Sequence, residues 1–521
     1  LLNPEPITAG APASPHAVDP HPKRSVAAWF APDLALTGGA FVVVYLVMLF
    51  GGPSRLFRDS DAGWHIRAGE QMIATHTLPT VDTYSFTKAG QPWIAWEWGA
   101  DVLAGAVHKA AGLAGVSYLY VTAICICAWM WFRFTWIVGG NFVLACLFSL
   151  PFFSTLSLHW LARPHIFGWL FTLGTVWFCE VQSPRARWAA YLGYAAVSAI
   201  WANIHGSFFL GPIFFVVYAA GAWLGKAVWG LESRVPARQY LGFALAGLLG
   251  SLANPYGWEL HRHVVQYLFD SELLDRISEY QSFDFRAAGA GQITVALAIG
   301  CTGAFAALWD RRMDRFLLSA LLLLQGVKSV RILPLVALIL LPLANASITR
   351  ALAEVRLAPW LRKRIDAIFA YGGRLRVMDS QLNGYALLPL WAVLLFFILK
   401  SANPGFPPDQ LPVAAASRVA ALPLNAKLFS SDKFGGYLIY RFAGERKVYF
   451  DGRSDFYGAP FLKTYARLME ARPGWRAEFA KQGFTYALLS PDSSIVAALK
   501  LAGWQETYKD KTAVLLKGPQ S

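Results

Sequence analysis

The sequence predicts an all-α polytopic membrane protein with a C-terminal α/β domain outside the bilayer, and three observations predict it. Of the 521 residues, 56% are hydrophobic and 15% charged, against about a quarter charged in an ordinary soluble domain. Apolar runs of about twenty residues, the length that crosses a bilayer, recur along most of the chain. From about residue 415 the texture changes to short β-like runs alternating with helical ones. This pattern excludes a secreted disulfide scaffold, a disordered regulator and an ordinary cytosolic enzyme. In such a chain the formal charge of +14 reads as an orientation signal and not as a nucleic-acid footprint. Cys125, Cys127, Cys146, Cys179 and Cys301 all fall inside apolar runs, which argues against a disulfide or a Cys-rich metal site.

In chain order, residues 1–32, rich in Pro, Ala and His, are expected to be a disordered tail without the features of a signal peptide. Residues 33–400 form the transmembrane domain. Its spans are expected near 34–52, 113–132, 135–155, 165–182, 188–203, 207–230, 239–254, 291–309, 316–328, 331–347 and 383–400, about eleven in all. A large first outer loop covers 53–112, within which 93–112 reads as a re-entrant or additional helix. With the N-terminus inside, the inner segments hold an excess of basic residues, Arg133, Arg185, Arg312, Arg350 and Arg362 among them, while the outer loops do not. The positive-inside rule favours that orientation, in a cytoplasmic (inner) membrane. Residues 401–521 then lie outside. There, β-like runs at 427–430, 447–450, 485–489 and 513–516 alternate with helical stretches at 459–482 and 493–503, the pattern of a small layered α/β domain.

This orientation sends the unusual polar chemistry to one side. The 53–112 loop, the stretch from His159 to His165, Asn203 to Gly206, the 254–290 loop and Lys328 to Arg331 all reach the outer face, and every histidine beyond the tail lies in them. Asp59 and Asp61 directly follow the first span, where carboxylates are costly unless solvated or paired. One reading makes Asp59 or Ser60 the N-cap of a surface helix through Ala74, with Trp64 and Ile66 inward. In the other, Asp61 binds a divalent cation or takes a proton. Both hold together. Arg58 and Arg67 flank these acids and suit either salt pairing or phosphate binding. The same alternatives apply to His65, His159, Arg163, His165, His205, Lys328 and Arg331, of which Arg331 and Arg163 rank highest as phosphate ligands because a departing phosphate needs several converging donors. Asp432 to Leu438 and Asp451 to Asp455 read as loops whose glycines permit positive φ or close backbone approach. No Walker loop, HExxH pair, GxSxG elbow or paired CxxC is present, which removes the usual support for hydrolase or ATP-driven pump chemistry.

The pattern resembles the GT-C superfamily of polyprenyl-phosphate-dependent membrane glycosyltransferases, and within it the catalytic subunit of oligosaccharyltransferase. The resemblance rests on Asp61, Trp64 and Arg67 in the first outer loop, on Ile277-Ser278-Glu279-Tyr280-Gln281 in a later one, and more faintly on Asp432 to Tyr437. It implies Asp61 as the acidic residue of the reaction centre and Glu279 as a second carboxylate, the two holding Mg²⁺ or Mn²⁺ if a metal takes part. The stretch from His159 to His165 contains no Asp or Glu where that family carries its second acidic motif, and its Trp-Trp pair is absent. A lipid, glycan or protein hydroxyl acceptor therefore fits better than an asparagine.

The expected function is transfer of a sugar from a polyprenyl-phosphate-linked donor on the extracytoplasmic face, with inversion, in cell-envelope glycosylation and with no nucleic-acid partner. Asp61 and Glu279 are the catalytic candidates. Arg163, His165, Lys328 and Arg331 are the candidates for the donor phosphate, and Asp59, Arg67, His65, His159 and His205 are further outer-face candidates. The rival readings are a transporter or flippase of a polar lipid or anion, and a noncatalytic GT-C-like protein. Charges clustered at span ends and not at mid-span disfavour transport.

Overall fold

The computed structural model describes residues 26–519. Most of the tail expected over 1–32 lies outside the described residues; Val26–Trp29 form a 3₁₀ turn. Asp33 then caps the first span, α1 (Leu34–Met48), its Oδ1 accepting from the Leu36 amide at 2.8 Å. The capping-turn acid is tied to neighbouring helices as well: Arg133 donates to Asp33 Oδ2 at 2.6 Å. Arg133 was expected in a loop but sits inside a helix, because the turn after the second span falls at Gly139 and Gly140.

The first outer loop is a built structure. It contains α2 (Asp61–Thr75), followed by an irregular hairpin-like segment up to Glu97. Next comes α3 (Trp98–Ile137), 40 residues long and broken at Ala111 and Gly112, where Gly112 takes φ 61°. The break separates a loop-side helix from a membrane-crossing one. A Cβ on Gly69 would collide with the Asp101 carbonyl, and one on Gly105 would stand 2.5 Å from the Glu70 amide. These two glycines let α2 and α3 approach backbone to backbone.

The bundle continues with α4 (Phe142–Leu156), α5 (His165–Val181), α6 (Trp188–Ile204), α7 (Leu210–Trp229), α8 (Ala237–Ser251), the amphipathic α9 (Trp258–Phe269), α10 (Ala290–Trp309), α11 (Met313–Lys328) and α12 (Val330–Glu354). Inside α12 a π-turn spans Val336–Leu340, and Trp131 Nε1 donates to the Ala337 carbonyl there at 3.0 Å. Six helices among the described residues are long and apolar enough to cross a membrane, or seven if the pair α13 (Pro359–Gln381) and α14 (Tyr385–Ser401), bent by 52°, counts as one. The expected number was about eleven; α5, α6, α8 and α11 occupy expected spans but are shorter. Helix α13 replaces an expected inner loop. Its basic, largely exposed sequence hides its helicity from an apolar-run reading. The chain is a multi-pass membrane protein.

The C-terminal domain is a mixed four-stranded sheet of order β1-β2-β4-β3, formed by β1 (Leu428–Ser430), β2 (Tyr486–Leu489), β3 (Gln505–Lys509) and β4 (Val514–Lys517). β1 and β2 are parallel, with Phe429 opposite Ala487; the other pairings are antiparallel. Four helices pack with it: α15 (Asp432–Arg441), α16 (Ala459–Met469), α17 (Trp475–Gln482) and α18 (Ser494–Leu501). Several expectations change. Residues 432–438 are helical, not looped. The helix expected over 459–482 is two, divided where Ala471 and Gly474 take positive φ. Residues 447–450 lie outside the sheet and instead bridge to Ser85 of the first outer loop.

That bridge is one part of a clamp between domain and loop. Val448 N donates to the Tyr84 carbonyl at 3.0 Å and Phe86 N to the Val448 carbonyl at 3.1 Å. Beneath it, Arg453 donates to Asp82 Oδ1 at 2.8 Å and to Asp451 Oδ2 at 2.7 Å, with Trp93 under its guanidinium. All three charged groups are buried. Removing one partner of such a network costs about 3–5 kcal/mol.

Candidate active site

At the end of the bundle nearest the C-terminal domain, four segments that are remote in sequence bring their charges together. Arg163, in the turn before α5, donates Nη1 to Asp59 Oδ2 at 2.6 Å and to Glu279 Oε1 at 2.8 Å, and its Nη2 stands 3.3 Å from Asp61 Oδ2. Arg331, in the first turn of α12, donates Nη1 to Glu279 Oε2 at 3.1 Å and lies over the Tyr280 ring. Glu279 thus bridges two guanidinium groups. Burial alone would raise its pKa, but Arg163 and Arg331 overcome that and hold the carboxyl well below the usual range. The segment is pinned by backbone: Ser329 Oγ donates to the Glu279 carbonyl at 2.9 Å and Val330 N to that of Gln281 at 2.9 Å.

Asp61, the first residue of α2, is 6% exposed. Its carboxylate faces Arg163 on one side and the Gly452 backbone on the other, where a Cβ would overlap Oδ1. Burial and the neighbouring Asp59 push its carboxyl well above the usual range. The Asp61 amide is held by Asp59 Oδ1 at 3.0 Å. Asp61 therefore sits behind Arg163 and outside the wall of the cavity described next.

A cavity of about 410 Å³ opens beside Arg331. One side is apolar, formed by Ile213 and Phe214 of α7, Leu321 and Leu322 of α11, and Leu335 of α12. The other side carries Glu97, His159, His165, His205, Glu279 and Arg331. Of the residues predicted from sequence, these five apart from Glu97 reach the wall. His165 Nε2 donates to the His159 carbonyl at 2.9 Å. The remaining candidates lie elsewhere. Lys328, the last residue of α11, is exposed and is not part of the wall. Arg67 pairs with Glu70 and donates Nε to the Tyr440 carbonyl at 2.8 Å, so it anchors the C-terminal domain. His65 is buried under Trp64, with Nδ1 2.6 Å from Asp101 Oδ1.

Glu97 is the wall residue that sequence reading missed. It immediately precedes α3 and is fixed by its neighbours: Trp98 Nε1 donates to Asn203 Oδ1 at 2.8 Å, and the Trp96 ring lies against Gly206. Its Oε1 is 3.3 Å from His205 Nε2 and its Oε2 is 3.8 Å from His65 Nε2. Burial raises its pKa to about 7, against the lowering effect of Arg163 and Arg331. A lone acid within Trp93-Ile94-Ala95-Trp96-Glu97-Trp98 was the available signal, since an acid among aromatics is either paired or functionally perturbed.

A divalent cation does not fit the carboxylates as they stand. The Arg163 guanidinium occupies the space among Asp59, Asp61 and Glu279, and no group of three metal-ligating side chains gathers among the described residues. Hard cations need several carboxylate or carbonyl oxygens converging on one point.

No protein-family model matches the chain, and no curated protein sequence matches it. Among solved structures, the apo oligosaccharyltransferase of Archaeoglobus fulgidus aligns with a TM-score of 0.51 at 12% identity, over 87% of this chain and 69% of that one. The chain has the GT-C fold. ArnT from Cupriavidus metallidurans bound to undecaprenyl phosphate aligns with a TM-score of 0.46 at 15% identity, over 94% of this chain and 99% of that one. At 12% identity the likeness to the oligosaccharyltransferase concerns the fold alone.

Proposed function

We propose that the protein is an integral membrane glycosyltransferase that moves a sugar from a polyprenyl-phosphate-linked donor to a lipid, glycan or protein hydroxyl acceptor on the extracytoplasmic face, with inversion. The observation that carries this reading is the cavity itself. Its lining is largely apolar and includes Arg331, so it suits a molecule with a hydrocarbon tail and an anionic head. Among the described residues only Glu279 accepts a hydrogen bond from Arg331. Its Nε and Nη2 are left for a ligand. Arg331 would meet the phosphate and stabilise the charge that grows on it as the anomeric C–O bond breaks. Asp59, Asp61 and Glu279 fix Arg163 beside it. In this arrangement Asp61 acts by holding Arg163, and no step passes through a metal ion.

Two measurements test the reading. Mass spectrometry of lipids and glycans from cells with and without the protein should reveal a glycosylated product missing in its absence. In cells carrying Arg331→Ala, that product should fall by about a hundredfold, the usual cost of losing a charge-stabilising donor. Product formation in isolated membranes should survive a chelator. An unchanged glycome in cells lacking the protein would sink the proposal, and movement of substrate across vesicles without any glycosidic product would establish transport instead.

A further inference from the structure

We infer that Glu97 is the group that takes the acceptor's proton, held for that task between His205 and His65. The inference rests on the glycosyltransferase reading and adds a residue to it.

The geometry assigns the hydrogen on His205. His205 Nδ1 accepts from the Ser207 amide at 3.1 Å, so its proton sits on Nε2, the nitrogen 3.3 Å from Glu97 Oε1. A Cβ on Gly168 would press on this imidazole, at 2.9 Å from Nδ1, and its absence makes room for the His205 ring beside α5. On the other side, His65 Nδ1 shares a short hydrogen bond with Asp101 Oδ1 at 2.6 Å, and burial pushes the Asp101 carboxyl well above its usual range. His65 Nε2 is buried, has no hydrogen-bond partner and stands 3.8 Å from Glu97 Oε2. One carboxylate oxygen of Glu97 thus lies 3.3 Å from an imidazole nitrogen, and the other lies near a buried nitrogen that has no partner. Unpaired buried nitrogens are uncommon and call for an explanation.

The other charged groups around Glu97 set its balance. Arg163 and Arg331 favour the carboxylate, while Asp455, Glu279 and above all burial favour the acid, giving a pKa of about 7. His65 and His205 are kept neutral by burial and by the nearby guanidinium groups. A base poised near the working pH is the efficient one. Asp61 lacks this access, since Gly452 and Arg163 cover its oxygens.

In the reaction, the acceptor oxygen forms a bond to the anomeric carbon as its proton passes to the Glu97 carboxylate. The bond from that carbon to the phosphate oxygen breaks, and its electron pair leaves with the polyprenyl phosphate beside Arg331. Solvent later removes the proton.

The test uses the full-length protein in membranes and in detergent. Product, identified by the mass difference above, is compared for wild type, Glu97→Gln and Glu97→Asp, alongside binding of farnesyl phosphate as a short polyprenyl phosphate probe. Glu97→Gln should bind the probe like wild type yet lose product by about a hundredfold or more. Product formation by wild type should rise with pH through about 7 as the carboxyl ionises. Glu97→Asp should restore part of the product and move that limb. Wild-type product from Glu97→Gln would overturn the inference and leave the glycosyltransferase reading standing. Loss of probe binding in Glu97→Gln would also overturn it, by making Glu97 a structural residue. Failure of the wild type both to bind the probe and to alter the glycome would strike the function itself.

Discussion

Asp61 and Gly452 meet so closely that the glycine has no room for a side chain. This contact ties the C-terminal domain to the charge cluster, because Asp61 holds Arg163 and Arg163 holds Glu279. Gly452→Ala must therefore push either the Asp61 carboxylate or the 451–453 backbone aside. We expect a stability loss of about 1–3 kcal/mol, as for overpacked sites, and a fall in product of about a hundredfold from the displaced guanidinium. Asp61→Ala should lower product as well. If Gly452 acts through Asp61 alone, the double variant should be no worse than Asp61→Ala; an additive loss in product assays would show that Gly452 does something else. At this scale the sequence was informative where charge is scarce. Asp59, Asp61, Arg163, Glu279 and Arg331 stand out against apolar surroundings, and the fold gathers them. Glu97 was missed because its aromatic neighbours resemble an interfacial belt. Lys328 was overvalued because the last turn of α11 aims it away from the cavity, a matter of helical phase that span ends alone do not reveal.

Helix α15 shows how an element escapes sequence reading. Glycines lower helix propensity, so Phe434-Gly435-Gly436-Tyr437 suggests a loop. In the structure the same glycines are the reason the helix can dock. A Cβ on Gly436 would collide with the Ser60 carbonyl, one on Gly63 with the Gly436 carbonyl, and one on Gly435 with that of Phe450. The domain lies on α2 through glycine faces from both sides. Apolar spans were easy to place because their signal is long and one-dimensional, whereas docking of this kind depends on two distant segments at once. Edge strand β3 was missed for a related reason: it is mostly exposed and polar and pairs only with β4. Gly436→Val should loosen the C-terminal domain from α2 without unfolding the sheet. Limited proteolysis should then cleave faster in the 401–416 segment and release an intact C-terminal fragment, while a Gly474→Ala control, which has nothing within 4 Å of the added Cβ, should leave docking unchanged despite its local backbone strain. Equal cleavage of wild type and Gly436→Val would refute the glycine docking.

For the whole molecule, the distribution of charge carries the argument. Its buried ion pairs collect at the two ends of the bundle. One end holds the Arg163 and Arg331 cluster beneath the C-terminal domain. The other holds Glu180 with Arg312 at 3.0 Å and Arg315 at 2.8 Å, Asp33 with Arg133, and Asp310 with Arg350 at 2.6 Å. Between the ends, packing is aromatic and aliphatic, as around Trp131 and Phe152. A transporter would need ionisable groups on the path between its two faces, and among the described residues the apolar bundle helices α4 to α8, α10 and α12 carry charge only near their ends. The second end is also the basic one, carrying the exposed Lys363 and Arg364 of α13, and on the positive-inside rule we expect it in the cytoplasm. The proposed polyprenyl-phosphate donor would then be met on the opposite side. In a chain with Cys146 and Cys301 replaced by Ser, a cysteine at Leu501, 85% exposed on the C-terminal domain, should react with an impermeant maleimide in intact cells. A cysteine at Lys363 should react only after permeabilisation. The reverse labelling pattern would place the cavity on the cytoplasmic side, where soluble nucleotide-sugars are available, and would remove the topological reason for a lipid-linked donor while leaving the cluster of Arg163, Glu279 and Arg331 to be explained by another anion.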